Sequence, residues 1–182
     1  MTQPIVAGAR RIVTYVDSSG RSRMLPGHHA TRAVDYAATP GMRTSVLWAT
    51  AGAPMLDGEP VDPVPALPSV HPAPGGSVFL TLTLPPEHVY AAPSFDPVAA
   101  AREQLGAVPG IAERMEPDAP GFHRTDSLDY VVVLLGDVWL VLDEGEVCLH
   151  AGDAVVQGGA RHAWQNRGDQ PATLAVVLLG TL

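Results

Sequence analysis

Between residues 126 and 182, turn signals interrupt the chain so often that no segment between them is long enough for an ordinary helix. Gly136-Asp137, Glu144-Gly145, Ala151-Gly152-Asp153, Gly158-Gly159 and Arg167-Gly168-Asp169 separate the runs 130–135, 138–143, 146–149, 154–157, 162–166 and 173–179. These runs are short and rich in Val and Leu, and the turns between them fit antiparallel neighbours. The pattern predicts an all-β fold, a sandwich or barrel, and argues against alternating strands and helices.

The earlier part of the chain adds strands of the same kind. Runs 11–16 and 21–25 flank the turn Asp17-Ser18-Ser19-Gly20, and 44–50 is β-rich. In 77–84, Val78, Leu80, Leu82 and Leu84 alternate with Ser77, Phe79, Thr81 and Thr83, the period of a strand with two distinct faces, and Pro85-Pro86 stops it. Residues 51–76 hold seven prolines and no sustained periodicity, which predicts a long extended loop lying as a surface arm, with a lid, a wrap-around arm or disorder as the alternatives. One short helix is expected over 97–106, with Asp96 as N-cap and Pro97 at its first position. The chain thus reads as one domain over 1–182: N-terminal strands in 1–50, the proline-rich loop in 51–76, a strand and helical insertion in 77–122, and the core in 123–182.

Charge removes several functions. A net charge of −8 opposes a nucleic-acid partner, which needs clustered positive charge. All eleven basic residues are arginine, so Schiff-base chemistry, lysine-held pyridoxal phosphate and a P-loop lysine are excluded. Cys148 is the single cysteine and forms no internal disulfide. With no apolar leader at the start and no run long enough to span a bilayer, the expected location is the cytoplasm, without a membrane partner.

Three polar side chains interrupt the apolar β-region without an evident structural need: His123, Asp129 and His162. On an extended strand His123, Thr125 and Asp129 share a face with Val131 and Val133, and His162 shares one with Trp164 and Asn166. Two imidazoles and a carboxylate suit iron, manganese, nickel, copper or zinc. The same three side chains equally suit ordinary hydrogen bonding in a loop, at a strand start and beside a turn. Trp139 and Trp164 are candidates for stacking on a substrate or for core packing. Tyr130 is a candidate general acid, although its parity places it on the opposite face from Asp129. Arg124 and Arg161 are expected to point away from the motif histidines; Glu116, Asp126 and His88 lie in loops near the motifs, and His28, His29 and His71 have no evident partner.

The segment from about 121 to 180 resembles a cupin, the small double-sheet jelly roll, in both motifs of that family. His123-x-Thr125-x3-Asp129-x6-Gly136 follows the pattern H-x-H-x3–4-E-x6-G, and GDAVVQGGARHAWQN, with Gly152, His162 and Asn166, follows G-x5-P-x-G-x2-H-x3-N. The chain departs from the family at Thr125 for the second histidine, at Asp129 for the glutamate, at Gly158 for the proline, and by one residue fewer before His162. The resemblance implies a double-stranded β-helix barrel with an N-terminal β extension. It also implies one divalent transition metal (Zn, Fe, Ni or Mn) held by His123, Asp129 and His162, with Thr125 hydrogen-bonded to metal-bound water.

In such a barrel the substrate is a small molecule at the mouth, lined by Val131, Val133, Trp139, Trp164 and Asn166. The stand-alone form resembles natural-product tailoring cupins. The expected function is a non-redox Lewis-acid step such as dehydration, cyclisation or isomerisation. The alternatives are an Fe(II) dioxygenase and a non-catalytic binder with a degenerate metal site. A homodimer is expected through edge strands.

Overall fold

The computed structural model describes residues 10–27, 29–56 and 58–182; His28 therefore lies outside the described residues. The chain begins with a hairpin of β1 (Thr14–Val16) and β2 (Ser22–Met24). Asp17 closes it, accepting from the Ser19 and Arg21 amides and the Ser19 hydroxyl, so the turn is built by one carboxylate. There follow β3 (Arg32–Asp35), β4 (Arg43–Thr50), β5 (Ser77–Leu84), helix α1 (Pro97–Ala107), β6 (Ser127–Leu135), β7 (Val138–Leu142), β8 (Glu146–Leu149), β9 (Ala154–Gly158), β10 (His162–Gln165) and β11 (Ala172–Gly180).

Six strands form one antiparallel sheet in the order β3-β4-β5-β11-β6-β9, and three form a second in the order β10-β7-β8. This is a jelly-roll β-sandwich, as the turn spacing predicts. Strand β3 had no counterpart in the sequence reading, and β6 starts earlier than the apolar run because Ser127 and Asp129 are polar yet buried.

The small sheet covers half of the large one. Leu84, Val131, Val133 and Leu174 of the large sheet pack against Val138, Leu140 and Leu149 of the small one. The other half is covered by pieces outside the sandwich: Val64 and Val70 of the proline-rich segment, and Ala107 and Val108 at the end of α1, pack on Val46, Val78, Leu80 and Leu178. The expectation of a surface arm holds for the start of 51–76, where Met55, Leu56 and Val61 are exposed, and is corrected from Val64 to Val70. Val64 and Val70 are both 0% exposed, so the segment supplies core side chains while its prolines occupy a path that forms no sheet ladder.

Three hydrogen bonds hold these covers together. The Val70 amide donates to the Pro109 carbonyl (2.7 Å), and the Arg32 guanidinium donates to the carbonyls of Leu67 (3.1 Å) and Ala107 (3.0 Å), one on each cover. Helix α1 is fixed at its start and in its middle. The Asp96 carboxylate accepts from the Val98 and Ala99 amides, while Glu103 accepts from the Ala37 and Ala38 amides. Asp96→Ala should lower the unfolding free energy by about 1 kcal/mol. Urea titration reads this as a lower midpoint at unchanged slope; an unchanged midpoint would mean that Pro97 alone sets the helix start.

No helix among the described residues is long and apolar enough to cross a membrane.

Candidate metal and substrate site

His123 precedes β6 and His162 opens β10, and the two exchange both backbone hydrogen bonds (3.0 Å each). Side chains of such a directly opposed pair stand on the same face. The rings accordingly lie with centroids 4.4 Å apart at 49°. Each ring is also turned the same way: Nδ1 of His123 lies 3.2 Å from the Gly121 carbonyl, and Nδ1 of His162 lies 2.9 Å from the Ala160 carbonyl. A carbonyl only accepts, so Nδ1 carries the proton and Nε2 keeps its lone pair in both. Burial, and then the neighbouring His162 ring, push His123 down to about 4; burial also lowers His162. Both imidazoles are neutral at pH 7.

Thr125, Ser127 and Asp129 alternate along the same face, all buried. Burial raises the Asp129 carboxyl above its ordinary value, and the nearby hydroxyls of Ser127 and Thr125 only soften that rise. Neither hydroxyl is well enough aligned to satisfy it: Asp129 Oδ1, Thr125 Oγ1 and Ser127 Oγ are all buried without a partner. Orphaned polar atoms at a cavity wall signal an absent ligand or water. Two Nε2 lone pairs, a carboxylate oxygen and a hydroxyl are donors whose chemistry suits a divalent transition metal and its bound water. Among the described residues no three His, Cys, Asp or Glu side chains stand close enough to share an ion. The imidazole pair is therefore the preset part, and Asp129 is not drawn in to complete a shell.

His123, Thr125, Asp129, Val131, His162 and Trp164 line one cavity of about 100 Å³ between the two packed halves of the large sheet. Trp164 stands edge-on to His162 at 5.7 Å. Four expected site residues lie elsewhere. Tyr130 is on the outer face of β6 and 47% exposed, as alternation from buried Asp129 requires. Trp139 is on the outer face of β7 beneath the Arg167 guanidinium (4.4 Å), and Val133 is packed in the sandwich core below the cavity. Asn166 is structural: its amide donates to the Leu84 and Gln170 carbonyls and its oxygen accepts from the Gly168 amide, which shapes its own loop and ties it to the end of β5.

Several wall residues were not legible in the sequence: Tyr36, Met42, Val70, Gln104, Val108 and Met115. They arrive singly from separate segments, without shared periodicity, so no local pattern marks them.

The charged residues around the motifs are scaffolding. Arg161 forms a two-pronged ion pair with Glu116 (2.7 Å for each bond), pairs with Asp143 and covers the Phe122 ring at 4.1 Å, pinning the loop that leads into His123. Arg124 donates outward to the Gly159 carbonyl. His88 lies in a separate groove with Phe95 and Asp96.

The fold is a jelly-roll sandwich, and its two motifs resemble those of the cupins. No family model matches the chain. Among curated proteins it is 56% identical over 46 residues to "Phomopsin biosynthesis cluster protein C'" of Diaporthe leptostromiformis, a match covering 25% of this chain and 24% of that protein. It is 40% identical over 78 residues to the cupin-domain-containing oxidoreductase fogC of Aspergillus ruber, covering 38% of each chain. The matches thus span only 24% to 38% of these relatives' lengths. Among solved structures, a sugar phosphate isomerase of the cupin superfamily from Silicibacter pomeroyi aligns with 100% of this chain and 76% of its own, at 18% identity and a TM-score of 0.42.

Proposed function

We propose that the cavity is the active site of a metal-dependent enzyme that transforms a small organic molecule in natural-product biosynthesis. The observation that carries this reading is the matched orientation of His123 and His162. Both Nδ1–H groups are spent on backbone carbonyls, which fixes both Nε2 lone pairs as donors. Asp129 would be the third ligand, brought in by reorientation of its side chain, and its unpartnered oxygen supports this. A bound metal would supply a Lewis acid with positions open for substrate. Thr125, too weak a donor to replace a histidine, would hold a water or substrate oxygen through its free hydroxyl.

Dehydration, cyclisation or isomerisation is one reaction class for such a site. The name oxidoreductase on a relative favours the other, a redox reaction at iron with oxygen. As a second copy would pair along edge strands, we retain a homodimer as part of the proposal, and cytoplasmic location likewise.

Elemental analysis of protein purified without added metal tests the site. About one equivalent is expected, and His123→Ala and His162→Ala should each retain less than about a tenth of it while keeping the fold by circular dichroism. Full metal in His162→Ala overturns the site. Iron with substrate-dependent oxygen uptake supports the oxidoreductase; zinc or nickel without uptake supports the non-redox step; no metal under any loading overturns the enzyme reading in favour of a binder.

A further inference from the structure

The cavity walls carry information about the ligand that the metal does not. Apart from the His123, Thr125, Asp129 and His162 end, the lining is apolar, supplied by Val70, Leu80, Leu82, Val176 and Leu178 among others, with Thr44, Tyr36 and Gln104 as its remaining polar groups. Thr44 and Tyr36 are engaged with each other (3.1 Å), and the Gln104 amide is turned to the Met42 sulfur (3.9 Å). Among the described residues no arginine lines the wall, and the chain has no lysine at all. The nearby arginines are committed elsewhere: Arg32 to the Leu67 and Ala107 carbonyls, Arg114 to the Gly110 carbonyl, Arg161 to Glu116 and Asp143, and Arg124 to the Gly159 carbonyl.

On this wall a phosphate or carboxylate would lose its water without gaining a side-chain cation; only a metal at the His123–His162 end could offer one, so the wall's own discrimination is read in metal-free protein. A neutral molecule meets the opposite situation. Its apolar body displaces water from the Leu, Val and Trp164 surfaces; a hydroxyl can accept from Thr125 and donate to Asp129, and a carbonyl can accept from Thr125. Size sets a further limit. An apolar cavity of about 150 Å³ takes a benzene, so a cavity of about 100 Å³ that is not sealed from solvent accommodates a single ring or a short branched chain.

We propose that this site selects an uncharged, largely apolar molecule of about one ring in size, bearing a hydroxyl or carbonyl at its His123–His162 end, and disfavours a phosphate or carboxylate along its apolar wall. The inference rests on the cavity's being the active site, and it names the substrate class for it.

Trp164 is the reporter. Of the three tryptophans, it alone lines the cavity, so a Trp48→Phe, Trp139→Phe protein emits from the site. In EDTA-treated protein, phenol and benzyl alcohol should quench this emission saturably, whereas benzoate and phenyl phosphate should bind at least about tenfold more weakly. Val176→Phe, which fills the cavity, should abolish phenol binding. Gln104→Arg, a change on the partly buried helix face, should bring benzoate binding up towards that of phenol.

Equal or tighter binding of benzoate or phenyl phosphate by the EDTA-treated, otherwise unmodified cavity overturns the proposal. So does phenol binding that survives Val176→Phe in a folded protein, or the absence of quenching by every neutral probe in both EDTA-treated and metal-loaded protein. Titration of EDTA-treated protein separates the two readings. Phenol selectivity in a protein that never binds metal leaves the ligand class standing while the enzyme reading fails; a metal-binding protein that prefers the anions does the reverse.

Discussion

EDTA-treated protein should lose stability steeply as pH falls from about 6.5 to about 4, before most surface carboxylates protonate. The cause is the buried imidazole pair. His123 ionises near 6.5 in an unfolded chain but near 4 in the cavity, because charging it there costs its hydration and sets it against His162. Between those values the unfolded chain holds the proton and the native protein does not. Stability therefore rises with pH across the window and is lost on acidification. The difference, at about 1.4 kcal/mol per unit, amounts to up to about 3 kcal/mol for His123. His162 acts in the same direction. Asp129 acts oppositely, since burial raises its pKa and its protonation on acidification relieves a buried charge; it offsets part of the loss near the acid end. The ion-paired carboxylates Glu116 and Glu146, both lowered by arginine partners, contribute mainly below their unfolded value of about 4.5. Urea unfolding at pH 7 and pH 4.5 measures the loss, and His123→Asn should flatten the slope. An unfolding free energy constant over this window would show that the rings are solvated and not buried as described.

The strands were legible because their turns are chemically explicit and their faces alternate. In β6, the buried positions Ser127, Asp129, Val131 and Val133 all follow from parity, and so does the exposure of Tyr130. Parity also placed His123, Thr125 and Asp129 on one wall. It does not tell how deep a residue lies along that wall, which is why Val133, on the same face, is sandwich core and Val131 is cavity. Nor does a motif position tell its task. Asn166 ends a cupin-like pattern beside a ligand position, yet its amide closes loop hydrogen bonds. The proline-rich segment was opaque for a different reason: proline sets the backbone path and suppresses periodicity, so buried Val64 and Val70 look like any other loop valines. The half of the site they help cover is a product of long-range packing, and only the half built on neighbouring β-strands was written locally.

What seats that segment is a crossing of backbones, and it gives the second large effect. The Gly75 amide donates to the Gly180 carbonyl (3.0 Å) and the Gly180 amide to the Gly76 carbonyl (2.9 Å), joining the end of the proline-rich segment to the end of β11. A Cβ on Gly180 would stand 2.0 Å from the Ala73 carbonyl oxygen, and one on Gly76 would stand 2.6 Å from the Thr50 carbonyl oxygen. Both obstacles are backbone and cannot rotate away, so glycine is required here by space. Gly180→Ala must push the segment off the sheet or break the two bonds, at a cost of about 3 kcal/mol or more. The consequence reaches the site, because the displaced segment carries Val70, which lines the cavity and is hydrogen-bonded through Pro109 to the other cover. Gly180→Ala should therefore lower the thermal midpoint by several degrees and open residues 51–76 to limited proteolysis. Gly52→Ala in the same segment, where an added methyl meets nothing within 4 Å, should leave both unchanged. Equal behaviour of the two variants would mean that the segment lies loosely on the sheet and that the cavity's outer wall is not fixed by the fold.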